Sequence, residues 1–146
     1  VSNIIDDLIR DEGEVLHLYY DSVGVPTIGI GHNLRDVPVP AELCKEITIT
    51  PAGAHALLAM KLAEVNEELS RALPWTDNLD PVRRKVLVNM AFNLGIGGLL
   101  LFKVTLEAVR TERWASARAG MLESKWASQV GDRAKRLAEQ MYTGRD

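Results

Sequence analysis

The sequence predicts an α+β fold that is mostly α. A small N-terminal lobe with a β-hairpin or three-stranded sheet is joined by one long helix to a helical C-terminal lobe. Three observations predict it. β-Branched and aromatic residues flanking a turn fall within residues 15–30. Residues 51–73 keep one helical period between a Thr-Pro start and a proline stop. Beyond residue 80 apolar residues recur at helical spacing, cut into segments by glycine and polar residues.

Ile4, Ile5, Leu8 and Ile9 recur at helical spacing and Gly13 is a natural stop. A first helix from Ser2 to Asp11 follows, with Glu12 at its carboxyl end. Leu16–Tyr20 and Val25–Ile30 then flank Asp21-Ser22-Val23-Gly24, which is turn chemistry, so a hairpin is expected. Period 2 sets Ile28 and Ile30 on one face and Thr27 and Gly29 on the other. Glycine in a strand often marks a close approach to the backbone, here expected to be a sugar ring. Residues 33–45, with Pro38 and Pro40, read as a loop, and Glu46-Ile47-Thr48 as an extended stretch.

Thr50-Pro51 is a cap-plus-proline helix start. Ala54, Leu57, Leu58, Leu62, Val65 and Leu69 carry that helix to Leu73, and Pro74 stops it. Its length is ~23 residues or ~35 Å. Asp80-Pro81 repeats the start, and Val82, Val86, Leu87, Met90, Ala91 and Leu94 form an apolar stripe. Gly95 is expected to end that helix and Gly97-Gly98 to be a loop. Shorter helices are expected around Leu100–Arg110, Trp114–Lys125 and Asp132–Tyr142. Trp75, Trp114, Trp126 and Phe92 are expected in the core.

A length of 146 residues suits a single domain over 1–146. Its lobes are expected at roughly 13–50 and 74–146, the latter taking in the first helix, with 51–73 as the link. Cys44 is the only cysteine, so an intramolecular disulfide is impossible. His17, His32 and His55 are scattered, and no metal site or cofactor is expected. Val1–Ile9 holds two acids and no basic run, so no signal peptide is read there. The apolar run Leu99–Phe102 is too short to span a bilayer, and no stable membrane insertion is expected. The net charge of -3 is unevenly placed. Residues 1–100 carry 8 Lys+Arg against 14 Asp+Glu, and residues 101–146 carry 9 against 6. The basic end, with Arg110, Arg113, Arg118, Lys125, Arg133, Lys135 and Arg136, reads equally as a surface for an anionic polymer and as a solvated helix face. The acidic balance and the lack of a basic recognition helix argue against nucleic acid as a partner.

The chemistry concentrates in Glu12, Asp21 and Thr27, spaced E-x8-D-x5-T. Two carboxyl groups in different environments can serve as acid and charged partner, the minimum set for cutting a glycosidic bond. Glu12 lies at the negative end of a helix dipole, which disfavours the charged form and suits a proton donor. Asp21 is the charged partner of an oxocarbenium-like transition state, and pairing across the turn brings Thr27 close to it. His32, a lone histidine after a strand, reads as structural.

These residues carry a resemblance. Asp11-Glu12-Gly13, the run Thr27-Ile28-Gly29-Ile30-Gly31-His32, Asn89-Met90-Ala91-Phe92-Asn93-Leu94-Gly95 and Arg133-Ala134-Lys135-Arg136 stand in the order found in the phage-type lysozymes, glycoside hydrolase family 24. Together they span nearly the whole chain. The resemblance implies a lysozyme-like fold and a monomeric muramidase acting on bacterial peptidoglycan. Such an endolysin stays in the host cytoplasm until a separate pore protein lets it reach the wall. The resemblance gives Thr27 the attacking water and has Arg133 and His32 support the site, with Arg133 orienting Glu12. In the family the position of His32 pairs with an acid on the long helix, where Lys61 stands here. Gly31, Asn33, Phe92 and Thr105 are the implied substrate contacts. Asn33 replaces a leucine, Thr105 a serine, and Gly120 stands where an asparagine is usual.

Two other readings fit parts of the pattern. A lytic transglycosylase cuts the same bond with one acid, using the sugar's own hydroxyl as nucleophile. A non-catalytic wall-binding module would share the fold without needing Glu12, Asp21 and Thr27.

Overall fold

The computed structural model describes residues 2–20, 25–33 and 47–146. Asp21 and its turn, the stretch with Pro38, Pro40 and Cys44, and Glu46 lie outside the described residues. The architecture is α+β and mostly helical, as the sequence predicts. The chain divides into two compact units, residues 3–63 and residues 64–146 with 1–2.

In the first unit α1 spans Ile4–Glu12. Asn3 caps it, its side chain accepting from the Ile5 N–H at 2.9 Å. Asp6 and Asp7 in the first turn and Arg10 in the last complement the dipole. Gly13, at φ 75°, turns the chain out, and its N–H donates to the Ile9 carbonyl at 2.8 Å. Three antiparallel strands follow in the order β1 (Val15–Tyr20), β2 (Pro26–Gly29), β3 (His32–Asn33). Tyr19 pairs with Thr27, and Thr27 with Asn33. The register shifts between Val15 and Tyr19. Residues 47–49 also pair with β1: the Leu18 N–H donates to Ile47 O at 2.9 Å and the Ile49 N–H to Leu16 O at 2.7 Å. The extended stretch read at Ile47-Thr48 is therefore present. Leu18 and Ile28 form a small core, with Ile47 and Ile49 packed on it.

Helix α2, Pro51–Ala72, begins in the first unit and ends in the second. Thr50 caps it by accepting from the Gly53 N–H at 3.0 Å. A 3₁₀ turn, Pro74–Asn78, leads to α3, Pro81–Leu100, capped by the Asp80 carboxylate on the Arg83 N–H. Val82, Val86, Leu87, Met90 and Ala91 are all buried. The expected stop at Gly95 is present: at φ 75°, ψ 159° it leaves helical geometry and kinks α3 into two helical pieces. Gly97-Gly98, expected to be a loop, instead lie in the piece beyond the kink, which runs to Leu100. The Leu94 side chain lies over Gly98, where a Cβ would stand 2.9 Å from the Leu94 Cβ, and Leu99 is fully buried. Gly98 is thus packed, while Gly97 is exposed, and neither residue favours a helix by propensity.

Then come α4 (Lys103–Arg110), α5 (Trp114–Leu122), α6 (Lys125–Val130) and α7 (Asp132–Thr143). The expected helix start at Leu100 moves to Lys103. The expected helix Trp114–Lys125 ends early, because Ser124 caps a new helix through the Ala127 N–H at 3.2 Å. Trp126 on α6 is buried and donates its Nε1–H to Asn93 Oδ1 at 2.8 Å. Trp75 and Trp114, expected in the core, are only partly buried. The Arg83 guanidinium lies over Trp114 at 3.8 Å and donates to the Met141 and Tyr142 carbonyls near the end of α7. Among the described residues no single helix is long and apolar enough to cross a membrane.

Candidate active site

Glu12 is the last residue of α1, as the helix-stop reading of Gly13 requires. Its side chain is partly buried and lies against the tip of the β2–β3 hairpin. A Cβ on Gly31 would stand 3.0 Å from Glu12 Oε2 and 3.2 Å from its Cδ. Gly31 holds φ 64°, a conformation that glycine adopts without cost. Its neighbour Gly29, at φ 69°, meets helix α2 instead: a Cβ there would lie 3.3 Å from the Ala54 Cβ. The close approach expected from a sugar at Gly29 is thus made by α2. Between the two glycines Ile30 is 2% exposed, so the tip is pinned in apolar surroundings.

Thr27, on β2, is 4% exposed, and its hydroxyl donates to the Val25 carbonyl at 2.9 Å. With its hydrogen committed, Oγ1 offers only lone pairs. Asp21, the third member of the spacing, lies outside the described residues. Asn33 pairs with Thr27 through the backbone, and His32 pairs with Ile28. His32 is partly buried at the start of β3. Glu14 and His55 form an ion pair at 3.8 Å in the same unit if the imidazole is protonated.

The remaining residues singled out from the sequence belong to the second unit. Phe92 and Thr105 are buried. Arg133, two residues beyond the φ 58° of Gly131, is buried and donates through Nε and Nη2 to Asn89 Oδ1 at 3.0 and 2.9 Å. Sequence reasoning gave Asn89 no role. Its signal was a lone amide inside the apolar stripe of α3, where a polar group must find a partner. The Gly120 departure also has a cause: a Cβ there would fall 2.2 Å from Thr105 Oγ1. The threonine hydroxyl fills the space that a side chain at 120 would need.

The basic end is largely neutralised locally. Arg110 pairs with Glu107 at 2.5 Å, Arg118 with Glu139 at 3.4 Å, and Lys135 with Asp132 at 3.7 Å. A cavity of about 590 Å³ opens in the second unit among Leu122, Ser124, Lys125, Ser128, Gly131 and Lys135. None of the predicted site residues lines it.

Residues 10–141 match the phage lysozyme family. The chain is 32% identical to probable T4-type lysozyme 1 of Dictyostelium discoideum, over 99% of this chain and 96% of that protein. It is 33% identical to the pre-baseplate central spike protein Gp5 of Enterobacteria phage T4, over 94% of this chain but 27% of that protein. It is 34% identical to the endolysin of Salmonella phage P22, over 64% of this chain and 62% of that protein.

Proposed function

Because the chain belongs to the phage lysozyme family and is a lysozyme acting on peptidoglycan, we propose that it hydrolyses the β-1,4 bond from N-acetylmuramic acid to N-acetylglucosamine with inversion. Glu12 is the acid that protonates the leaving oxygen, and Asp21 is the carboxylate that stabilises the developing positive charge and receives the water's proton.

The observation that carries this reading is the hydroxyl of Thr27. Its hydrogen goes to the Val25 carbonyl, so Oγ1 can only accept. A water held by two acceptors, Thr27 Oγ1 and a carboxylate, must donate both its hydrogens to them. Its lone pair then points away from both, toward an anomeric carbon on the face opposite the departing oxygen. A transglycosylase has no use for a water-holding pair.

The test is the product. Proton NMR of fresh products should show the inverted anomer, and mass spectrometry should show hydrated reducing ends. Retained products would remove the water from the first step. Anhydro-muramic ends would identify a transglycosylase. The P22 relative is an endolysin, and we propose that this chain acts in the same setting, held inside the host until a separate pore opens. Cells expressing the chain should therefore stay intact until the inner membrane is permeabilised, and lysis before that step would refute the setting.

A further inference from the structure

We infer that Gly31 is a positioning residue for the reaction. The bare backbone of the β2–β3 tip is the seat against which the Glu12 carboxyl is held, and a side chain at 31 would unseat it. The inference rests on the reading of Glu12 as the acid.

The argument is geometric. A Cβ on Gly31 would meet Glu12 at three atoms: Oε2 at 3.0 Å, Cβ at 3.1 Å and Cδ at 3.2 Å. An added methyl at 31 would thus press on the carboxyl end of the Glu12 side chain. The tip cannot retreat to make room. Gly29, two residues before, already stands at 3.3 Å from the Ala54 Cβ by the same measure, and Ala54 is fully buried. Ile30 between them is 2% exposed. The strands behind the tip are fixed by the pairs Thr27 with Asn33 and Ile28 with His32. The tip is therefore close to α2 at Gly29 and close to Glu12 at Gly31. Glu12 has little retreat either. It closes α1, and Gly13 after it is tied back to the Ile9 carbonyl at 2.8 Å. What gives way on adding a methyl is the torsion of the Glu12 side chain. That torsion decides where the proton is delivered, and a displacement of ~1 Å can cost ~100-fold in rate.

Gly29 supplies a matched control. It shares the hairpin and a left-handed backbone, φ 69° against 64°. It has a similarly tight contact, but with Ala54 rather than Glu12. Gly31→Ala and Gly29→Ala therefore carry the same backbone strain and differ in what the methyl strikes. Both should lower the melting temperature. Per folded molecule, Gly31→Ala should lose ~100-fold in kcat with KM within about twofold. Gly29→Ala should keep its kcat. A folded Gly31→Ala with wild-type kcat overturns the inference, as does an equal loss of kcat in Gly29→Ala. If Gly31→Ala does not fold, it is made in a Glu12→Gly background, where Oε2, Cδ and Cβ are all gone. Recovery of folding there supports the seat, and continued failure overturns it. Glu12→Gln separates the two levels. If Glu12→Gln stays active, the reading of Glu12 as acid fails. If it is inactive while Gly31→Ala is unimpaired, only the seat fails.

Discussion

In residues 3–63 the close approaches around the proposed acid Glu12 involve bare backbone. Gly31 lies against Glu12 and Gly29 against Ala54, and the sheet behind them has a core of Leu18 and Ile28. In residues 64–146 the contacts are made by side chains. Val86, Leu87, Met90, Val109, Met121 and Met141 are almost entirely withdrawn from water. Two polar contacts there join buried Asn89 to buried Arg133 and the buried Trp126 indole N–H to the exposed Asn93. The first unit thus gains position at the expense of buried apolar area, and the second gains stability. Since apolar burial contributes ~25 cal/mol per Å², the melting temperature should follow the second unit and the rate constant the first.

The sharpest way to break this division is Glu12→Gln. The amide keeps the shape of the carboxyl and cannot deliver the proton. Activity should fall by ~10²–10⁴-fold, the usual worth of a general acid, with the melting temperature unchanged. A folded Glu12→Gln enzyme that keeps a tenth of wild-type activity, an arbitrary cut set at about one order of magnitude, would take the acid role from Glu12.

The converse is Met90→Ala in α3. Met90 is 1% exposed within the apolar stripe, so the truncation should leave a cavity and cost ~2–5 kcal/mol. Thermal unfolding by circular dichroism should report it as a drop of several degrees. The activity of the folded fraction should not change. If kcat falls in step with stability, the two units do not divide their roles as argued.

The same contrast explains what was legible in the sequence. Helix ends written by a single side chain or a single glycine were readable: Thr50 and Asp80 each accept a backbone N–H, and Gly13 ends α1 at positive φ. The Asn3 cap was missed, because the helix was expected to start at Ser2. The place of Glu12 at the end of α1 was readable from the local helix stop, and that of Thr27 on β2 from the strand pattern. The helical state of Gly97 and Gly98 was not; Gly98 lies under the Leu94 side chain, a contact that no local propensity reports. Ser124 was passed over because the apolar period seemed continuous from Trp114. Its cap was nonetheless in the sequence, three residues before Ala127. The partners of Gly29 and Gly31 were beyond local reading. A glycine in a strand announces that something comes near, and only the tertiary fold says whether it is a sugar, a helix or a carboxyl.

The smallest expected effect tests whether surface charge adds to the stability of the second unit. Lys85 on α3 is 8% exposed, and its ammonium donates to Asp146 Oδ1 at 2.5 Å and to the Ser2 hydroxyl. The Ser2 N–H donates to Asp146 Oδ2 at 2.6 Å. The hydrogen bond from Lys85 is the main cause that lowers the Asp146 carboxyl from 3.8 to about 2, against a burial contribution that raises it. A carboxyl lowered in the folded state stabilises that state fully only above its unfolded value. Its contribution is lost as the pH falls through the window between about 4 and 2. Acid unfolding followed by circular dichroism should therefore be steeper in that window for the wild type than for Asp146→Asn. At neutral pH Asp146→Asn should be the less stable of the two. Because Asp146 is exposed, the difference should be smaller than for Met90→Ala and should shrink with added salt. Parallel acid curves would mean that Lys85 finds equal compensation from Ser2 alone. The stability of this unit would then rest on its apolar packing without help from the ion pair.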